Sequence, residues 1–284
     1  MSKPTIGFIG LGLMGAAMVN RLIDQGYSLT LMANRSRDAI DAAVARGATE
    51  VSTAHELAAA SDIVMLCIDT SANVEARMRG EDGIIAGLNK GATVIDFGTS
   101  VPASTRKIGA DLAAKGAGMI DAPLGRTPAH AKDGLLNIMA AGDQVTYDKV
   151  KPVLDDQGEN VFHLGALGAG HVTKLINNFM GMTTVTAMSQ AFAVADRAGV
   201  DRAQLFDIMS AGPSNSPFMG FSKKYAVDNV SDLGFSLNNA NKDLGYFLKM
   251  VEDMGTRAEI AEGTSNNLQA AVDTGMGDGN VPEI

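Results

Sequence analysis

The 284-residue chain contains a single cysteine, Cys67, so no disulfide can form within it. Cys67 lies in an apolar stretch, residues 63–68, where a buried structural thiol is expected. No apolar run approaches the roughly 20 residues that span a bilayer. The N-terminus lacks the apolar core and the small-residue cleavage site of a signal peptide. These absences predict a cytoplasmic protein with no membrane segment.

Positive charge is scarce as well, with 23 Lys and Arg against 32 Asp and Glu and a formal net charge of -9. The basic residues are scattered along the chain, so we expect no nucleic-acid partner. The four histidines show no spacing typical of metal ligands, and we expect no metal. They are His55, His130, His163 and His171, of which His130 and His171 lie near the motifs described below and are candidates to line the entrance to a site.

Alternating strands and helices are predicted in the first half of the chain. Short apolar runs predict strands at residues 5–9, 29–33, 63–68, 93–97 and 119–120, with further candidates at 135–140 and 161–163. Helical patterns cover residues 15–25, 37–46 and 54–60, and later 171–198, 203–210, 243–254 and 259–272. The chain is therefore predicted to form a Rossmann-type doubly wound α/β domain, residues 1–165, followed by an all-α domain, residues 166–284, with a long connecting helix.

A glycine-rich loop follows the first predicted strand and opens the first predicted helix. It matches G-x-G-x-x-G and consists of Gly10, Leu11, Gly12, Leu13, Met14 and Gly15. In this context the first glycine permits a tight turn, the second lets backbone approach a pyrophosphate, and the third lets the helix pack closely on the strand. The loop therefore predicts a dinucleotide site, the alternative being a tight turn without a ligand.

The segment after the second strand predicts which nicotinamide cofactor is preferred. An acidic residue there would accept hydrogen bonds from the adenosine ribose and select NAD. This chain instead has Asn34, Arg35 and Ser36, and Arg35 can pair with a 2′-phosphate. NADP is the preferred cofactor on this interpretation and NAD remains possible. A solvated basic turn is the alternative.

Four segments in order along the chain resemble the β-hydroxyacid dehydrogenase family, which includes 3-hydroxyisobutyrate dehydrogenases and semialdehyde reductases. They are residues 8–15, 121–127, 168–178 and 242–244. The resemblance implies a Rossmann domain, a helical domain and an active site in the cleft between them. A homodimer or homotetramer is expected.

Lys174 and Asn178 are the candidate catalytic residues. They are four residues apart in the long predicted helix and so share one face. A carbonyl that receives hydride develops negative charge on oxygen, which an ammonium can stabilise and then protonate, while Asn178 holds the same oxygen or its neighbour. The matching G-x-G-x-x-x-K-x-x-N-N pattern of the family favours this role over a solvated lysine.

Other site residues come from strand ends and from the helical domain. Thr99 follows the strand at 93–97, where ligands bind in open α/β sheets, although a simple strand-ending turn is the alternative. The resemblance places the loop of Ile68, Asp69 and Thr70 over the cofactor, but the Leu-Pro usual in the family is missing there. It also implies that Phe235, Lys242 and Asp243 close the active site. A structural role in the first turn of a helix is the alternative for Lys242 and Asp243.

The predicted substrate loop departs from the family. Most members carry Ser-Gly-Gly where this chain has Gly125, Arg126 and Thr127. A guanidinium and a hydroxyl beside backbone N–H groups offer more donors to an anion. The change is similar to the Gly-Arg-Thr signature of sulfolactaldehyde reductases, in which these residues hold a sulfonate. The alternatives are that Arg126 binds a different carboxylate or that it forms an ion pair within the protein.

The predicted function is reversible hydride transfer between NAD(P)H and a small anionic aldehyde, which yields the hydroxy acid. An imine reductase shares the fold and the cofactor loop, but those enzymes usually replace the lysine because their imine is already cationic. A nonenzymatic NADP-binding module is the third possibility, and it would not need Lys174, Asn178, Thr99 and Arg126 together.

Overall fold

The computed structural model describes residues 3–33 and 37–284, and the chain divides into two compact units, Met1–Lys174 and Leu175–Ile284. Strands and helices alternate in the first unit, whereas helices make up nearly all of the second. The division falls within one long helix, which begins in the first unit. Among the described helices, none is both long enough and apolar enough to cross a membrane.

A six-stranded parallel sheet forms the centre of the first unit. Its strands are β1 (Ile6–Ile9), β2 (Leu29–Met32), β3 (Thr49–Val51), β4 (Ile63–Leu66), β5 (Thr93–Asp96) and β6 (Gly118–Asp121). They lie in the order β3-β2-β1-β4-β5-β6. The order reverses beside β1, and open α/β sheets bind ligands outside the carboxyl ends of the strands at such a point. Strands β1, β4 and β5 are buried along their whole length because helices cover both faces of the sheet.

Helices connect these strands, and several begin at recognisable caps. Their bounds are α1 (Leu13–Asp24), α2 (Asp38–Val44), α3 (Ala54–Ala59), α4 (Ser71–Met78), α5 (Ile84–Gly87), α6 (Pro102–Ala114), α7 (Pro128–Asp133) and α8 (Gln144–Asp155). Thr53 and Glu56 form a capping box at α3, and the side chains of Thr70 and Asp143 cap α4 and α8. These side chains satisfy N–H groups that have no partner within the helix.

A second, three-stranded sheet completes the first unit. Strand β7 (Leu124–Gly125) is antiparallel to β8 (Leu136–Ala140), which is parallel to β9 (Gly158–His163). Gly125 pairs with Asn137 and Leu136 pairs with Gly158. The end of β7 and the starts of β8 and β9 therefore lie at one edge of this sheet.

The second unit is helical. The long helix α9 (Ala169–Ala198) runs into it, and α10 (Arg202–Ser210), α11 (Pro217–Ala226), α12 (Leu237–Asp253) and α13 (Glu259–Ala271) follow, with a π-helical turn at Val272–Met276 and a 3-10 turn at Val281–Glu283. Met188, Phe192 and Met219 form a buried cluster in this unit. The rings of Phe179 and Phe247 stack with centroids 4.6 Å apart, which joins α9 to α12.

The predicted fold class, a Rossmann-type sheet followed by a helical domain, is confirmed. Differences concern individual elements. Strand β3 has no apolar run to reveal it, and β7 has only two residues. Helix α12 begins at Leu237 rather than Asp243, because the Ser236 side chain accepts a hydrogen bond from the Asn239 N–H and caps the helix there.

Candidate active site

The loop between β1 and α1 has the shape expected of a phosphate-binding turn. Gly10 has a φ of +104°, and a Cβ there would lie 2.2 Å from the carbonyl oxygen of Cys67. A Cβ on Gly15 would lie 1.8 Å from the Gly10 carbonyl oxygen, so the helix could not start this close to the strand with any other residue. Apart from Gly12 and its neighbours in the chain, no atom of the described residues lies within 4 Å of the position of a Cβ on Gly12. The loop is therefore tight on its inner side and open at Gly12, as close backbone approach by a pyrophosphate requires.

The start of α1 adds a favourable field to this loop. The first turn of α1 contains no acidic residue, and its N-cap, Gly12, offers no side chain to the free N–H groups. These N–H groups carry the positive end of the helix dipole and can bind an anion. Leu13, the first residue of α1, is 83% exposed, so its side chain does not pack into the core.

The residues predicted to select NADP, Asn34, Arg35 and Ser36, lie outside the described residues. The next residue, Arg37, forms ion pairs with Asp41 and Glu50 at 2.8 and 2.9 Å. These two carboxylates raise the pKa of the Arg37 guanidinium, chiefly through the hydrogen bond to Glu50.

The loop after β4 lies beside the glycine loop at the carboxyl edge of the sheet. The Thr70 hydroxyl accepts a hydrogen bond from the Asn73 N–H over 3.1 Å, and Asp69 Oδ1 accepts one from Asn73 Nδ2 over 2.8 Å. The Ile68 carbonyl packs against Gly98, where a Cβ would lie 2.7 Å from its oxygen. The loop of Ile68, Asp69 and Thr70 is thus brought next to the loop after β5.

Thr99 is half-buried in a turn that a buried aspartate organises. Asp96, at the end of β5, accepts hydrogen bonds from the Gly98 N–H and the Ser100 hydroxyl, each over 2.9 Å. Asp96 is 1% exposed. Asp96 is not among the site residues predicted above, although a carboxylate within an otherwise apolar strand is a signal that could identify it.

A second buried carboxylate anchors the beginning of α9. Asp121 Oδ1 accepts a hydrogen bond from the Gly168 N–H and Oδ2 accepts one from the His171 N–H, both over 2.7 Å. Burial raises the pKa of the Asp121 carboxyl, although His171 and the two backbone donors act in the opposite direction. A Cβ on Gly170 would lie 2.2 Å from the Met139 carbonyl oxygen, so this turn packs directly on β8. The helix that carries Lys174 therefore starts at a rigid point.

His171 lies in the interior of the first unit and does not line an entrance. Its side chain is fully buried, and Nδ1 is 2.8 Å from the Thr105 hydroxyl. Nε2 is 3.7 Å from Asp96 Oδ2 and has no hydrogen-bond partner among the described residues. His171 thus joins α9 to α6 and approaches the end of β5.

Lys174 lies beside the predicted substrate loop. Its Nζ donates a hydrogen bond to the Leu124 carbonyl oxygen over 2.8 Å. Leu124 begins β7 and directly precedes Gly125, the first residue of that loop. The ammonium group and the loop therefore meet in the first unit.

Arg126 adopts a left-handed conformation, with a φ of +78°. This is a glycine-like conformation, at a position where the family resemblance described above implies glycine. Arg126 Nη1 donates to the Leu135 carbonyl oxygen over 2.7 Å and forms an ion pair with Glu159. This is the internal ion pair that the sequence left open as an alternative. The Thr127 hydroxyl lies 2.7 Å from His130 Nδ1.

In the second unit, Asn178 and Asp243 form a buried hydrogen bond. Asn178 Nδ2 donates to Asp243 Oδ2 over 2.7 Å, and Asp243 Oδ1 pairs with Lys242 Nζ at 2.9 Å. Both Lys242 and Asp243 lie beyond the first turn of α12, so the interpretation that they occupy a first helical turn is wrong. Phe235 is half-buried, and its carbonyl accepts a hydrogen bond from the Val281 N–H over 2.9 Å.

Cys67 is partly rather than fully buried. Desolvation, with a smaller contribution from Asp96, raises the pKa of its thiol to about 12. The thiol therefore stays protonated at neutral pH. In the described part of the chain, no group of three or more His, Cys, Asp or Glu side chains could hold a metal ion.

Comparison with known proteins covers almost the whole chain. A family profile described as the NAD binding domain of 6-phosphogluconate dehydrogenase matches residues 5–165, and one described as the NAD-binding of NADP-dependent 3-hydroxyisobutyrate dehydrogenase matches residues 168–283. An NAD-dependent L-serine dehydrogenase of Pseudomonas aeruginosa is 32% identical over 84% of this chain and 83% of its own length. A 2-hydroxy-3-oxopropionate reductase of Escherichia coli is 28% identical over 86% of this chain and 83% of its own. A structure of the Mycobacterium tuberculosis 3-hydroxyisobutyrate dehydrogenase with L-serine is 26% identical, has a TM-score of 0.88, and covers 99% of this chain and 97% of its own.

Proposed function

The chain belongs to the β-hydroxyacid dehydrogenase family, and from this we propose that it interconverts a small anionic aldehyde and the corresponding hydroxy acid, with Lys174 as proton donor and acceptor. The relatives indicate an NAD(P)-dependent hydroxyacid dehydrogenase that acts on small acids. The observation that supports the finer proposal is the hydrogen bond from Lys174 to Leu124, the residue that precedes the proposed substrate loop.

The residues present fit a nicotinamide dinucleotide. Its pyrophosphate would lie on the loop from Gly10 to Gly15, which is open at Gly12 and stands at the start of α1. The remainder of the cofactor would contact Thr99 and the loop from Ile68 to Thr70. Arg35 would favour NADP over NAD. When bound, the cofactor supplies or accepts the hydride at the substrate carbon.

Lys174 is suited to handle the proton. An ammonium group has three N–H donors, and the Leu124 carbonyl takes one of them. A second N–H can bind the carbonyl oxygen of the substrate, stabilise the negative charge that develops on it and then transfer the proton. In the oxidative direction the neutral amine accepts the proton from the hydroxyl. The fixed start of α9 at Asp121 holds the lysine in register with the loop.

Asn178 would assist from the next turn of α9. Asp243 accepts one N–H of its amide, which sets the orientation of the group and leaves the second N–H to bind the substrate. Phe235 is proposed as a further substrate contact, and Lys242 and Asp243 as cofactor contacts. Removal of Asp243 would release the amide of Asn178.

The anionic end of the substrate would bind at Gly125, Arg126 and Thr127. A guanidinium, a hydroxyl and backbone N–H groups can converge on the oxygens of a carboxylate or a sulfonate. A sulfonate has three such oxygens, so it uses these donors more fully than a carboxylate does. We therefore place a sulfonated aldehyde first among the candidate substrates.

The test is oxidation of NADPH and of NADH with a panel of aldehydes. The panel contains sulfolactaldehyde, tartronate semialdehyde, succinic semialdehyde and glyoxylate, with a neutral aldehyde and a cyclic imine as controls. We expect turnover of at least one anionic aldehyde with a kcat/KM well above that of both controls. Reduction of the imine alone, or nucleotide binding with no turnover of any anionic aldehyde, would contradict the proposal.

A further inference from the structure

Arg126 is held at one corner of its guanidinium group. Nη1 donates to the Leu135 carbonyl oxygen and to Glu159 Oε2. Within residues 3–33 and 37–284 the side chain makes no other hydrogen bond. Nε and Nη2 form the edge that binds two oxygens of one anion side by side. The two acceptors therefore occupy one nitrogen and leave this two-donor edge open.

The three-stranded sheet creates this arrangement. Arg126 directly follows β7, Leu135 directly precedes β8, and Glu159 is the second residue of β9. Because β7 is antiparallel to β8 and β9 is parallel to it, these three positions lie at the same edge of the sheet. The backbone thus determines where the two acceptors stand, and Arg126, which has a left-handed φ, reaches both of them with Nη1.

The ion pair contributes little to folding, because its side chains are 30% and 50% exposed and solvent screens their charges. Its clearest consequence is geometric. A long arginine side chain has many rotamers. An anion that binds it must otherwise restrict it to one of them, at a cost in conformational entropy. A carboxylate that already holds Nη1 reduces this cost.

We propose that Glu159 is a positioning residue for substrate binding, which holds Arg126 so that its Nε–Nη2 edge receives the substrate anion. The inference rests on the proposed role of Arg126, and Glu159 itself does not contact the substrate. Its negative charge opposes an anion nearby, so a neutral side chain that still accepts the hydrogen bond from Nη1 should serve at least as well.

Three substitutions at Glu159 separate orientation from charge. Glu159→Ala removes the acceptor, Glu159→Gln keeps an acceptor oxygen without the charge, and Glu159→Asp keeps the charge on a shorter side chain. Arg126→Ala tests the anion site itself. Asp196→Ala is the matched control, because Asp196 also pairs with an arginine, Arg202, and their side chains are 44% and 39% exposed.

Each variant is assayed for KM and kcat with the best anionic aldehyde of the panel and with a neutral aldehyde. Binding of 2-hydroxyethanesulfonate and of glycolate to the NADPH-saturated enzyme is measured by calorimetry, which gives a readout independent of turnover. We expect Glu159→Ala to raise KM and Kd for the anions roughly three- to ten-fold, as for a misplaced but intact binding group. Glu159→Asp should show part of this loss, and Glu159→Gln should stay within about two-fold of the parent or bind more tightly.

The outcomes test the proposed function and the role of Glu159 separately. If Arg126→Ala leaves KM for the anionic aldehyde unchanged, the anion site and the inference both fail. If Arg126→Ala raises KM but Glu159→Ala does not, only the role of Glu159 is overturned. Lower KM in both Glu159→Ala and Glu159→Gln would mean that Glu159 competes with the substrate. An equal loss in Asp196→Ala would mean that the effect is not specific. If Glu159→Ala does not fold, as judged by thermal unfolding, the contrast between Glu159→Asp and Glu159→Gln decides.

Discussion

Lys174 combines a charge and a transferable proton in one side chain, and these two properties can be separated by substitution. Lys174→Ala should reduce kcat by about 10²–10⁴-fold, as for loss of a positioned general acid. Lys174→Arg keeps the positive charge, but its proton is not released in proteins, so activity should remain low. NADPH binding, measured by fluorescence titration, should hardly change in either variant.

Lys151→Ala is the control for this prediction, because Lys151 is an exposed lysine of the same unit that pairs with Asp155 on α8. Its activity should match that of the parent. Activity of Lys174→Ala within two- or three-fold of the parent would remove Lys174 from the chemistry.

Arg35 is the residue on which the cofactor preference is predicted to depend. We expect a higher kcat/KM with NADPH than with NADH, because a guanidinium can pair with the 2′-phosphate. Arg35→Asp removes that partner and adds a like charge, so the ratio of the two kcat/KM values should shift toward NADH. The unaltered enzyme is measured with both cofactors, and a preference for NADH in it would show that the interpretation of Arg35 is wrong.

At the scale of elements, the start of α9 depends on Asp121. Asp121→Ala leaves the buried N–H groups of Gly168 and His171 without their acceptor, at a cost of about 2–4 kcal/mol in the free energy of unfolding. Asp121→Asn retains one acceptor oxygen and should lose less. The measurement is urea unfolding, monitored by circular dichroism.

Asp143→Ala supplies the comparison, because Asp143 also accepts a backbone N–H, that of Thr146, at the start of a helix but on the surface. Its loss should be only about 1 kcal/mol, as is usual for a helix cap. Equal losses at the two sites would contradict the view that α9 is anchored more firmly than an ordinary helix.

At the scale of the whole molecule, several carboxylates should make stability depend on acid pH. Hydrogen bonds or ion pairs lower the pKa of Glu50, Glu56, Asp62, Asp143, Asp196 and Glu283. A carboxyl whose pKa is lower in the folded state stabilises the fold above its unfolded pKa, and this contribution is lost as pH falls through the folded pKa. The free energy of unfolding should therefore decrease once the pH falls below the ordinary pKa values, 4.5 for Glu and 3.8 for Asp.

Asp62 provides a single-residue check of this trend. Its Oδ2 accepts hydrogen bonds from the Thr5 N–H and the Thr5 hydroxyl, both over 2.9 Å, and the backbone bond is the main cause of its lowered pKa. Asp62→Asn should make the decrease in unfolding free energy with falling pH less steep. Parallel curves for the two proteins would mean that Asp62 takes no part. Asp121 acts in the opposite sense, because burial raises its pKa.

Much of this organisation is local in origin and could be predicted from the sequence. The glycines of the loop from Gly10 to Gly15 specify a conformation that larger residues cannot adopt, and an apolar period of two or of 3.6 residues specifies a strand or a helix. The glycine loop, the main strands and the long helix that carries Lys174 and Asn178 follow from such signals. The resemblance to the family is also confirmed, and it too rests on local signals, because four short segments carry it.

Other features arise only when residues distant in the sequence meet. Asp121 caps a helix that begins 48 residues later, and the Glu159 carboxylate reaches Arg126 only because β7 and β9 share β8 as a neighbour. His171 proved to be an interior residue because α6 and the end of β5 enclose it, which its polar character alone did not indicate. The sequence by itself determined the fold class and the residue types available for catalysis, since these depend on short-range sterics and periodicity. Only the tertiary structure decided which charges pair and which are buried, because strand pairing and packing set those distances.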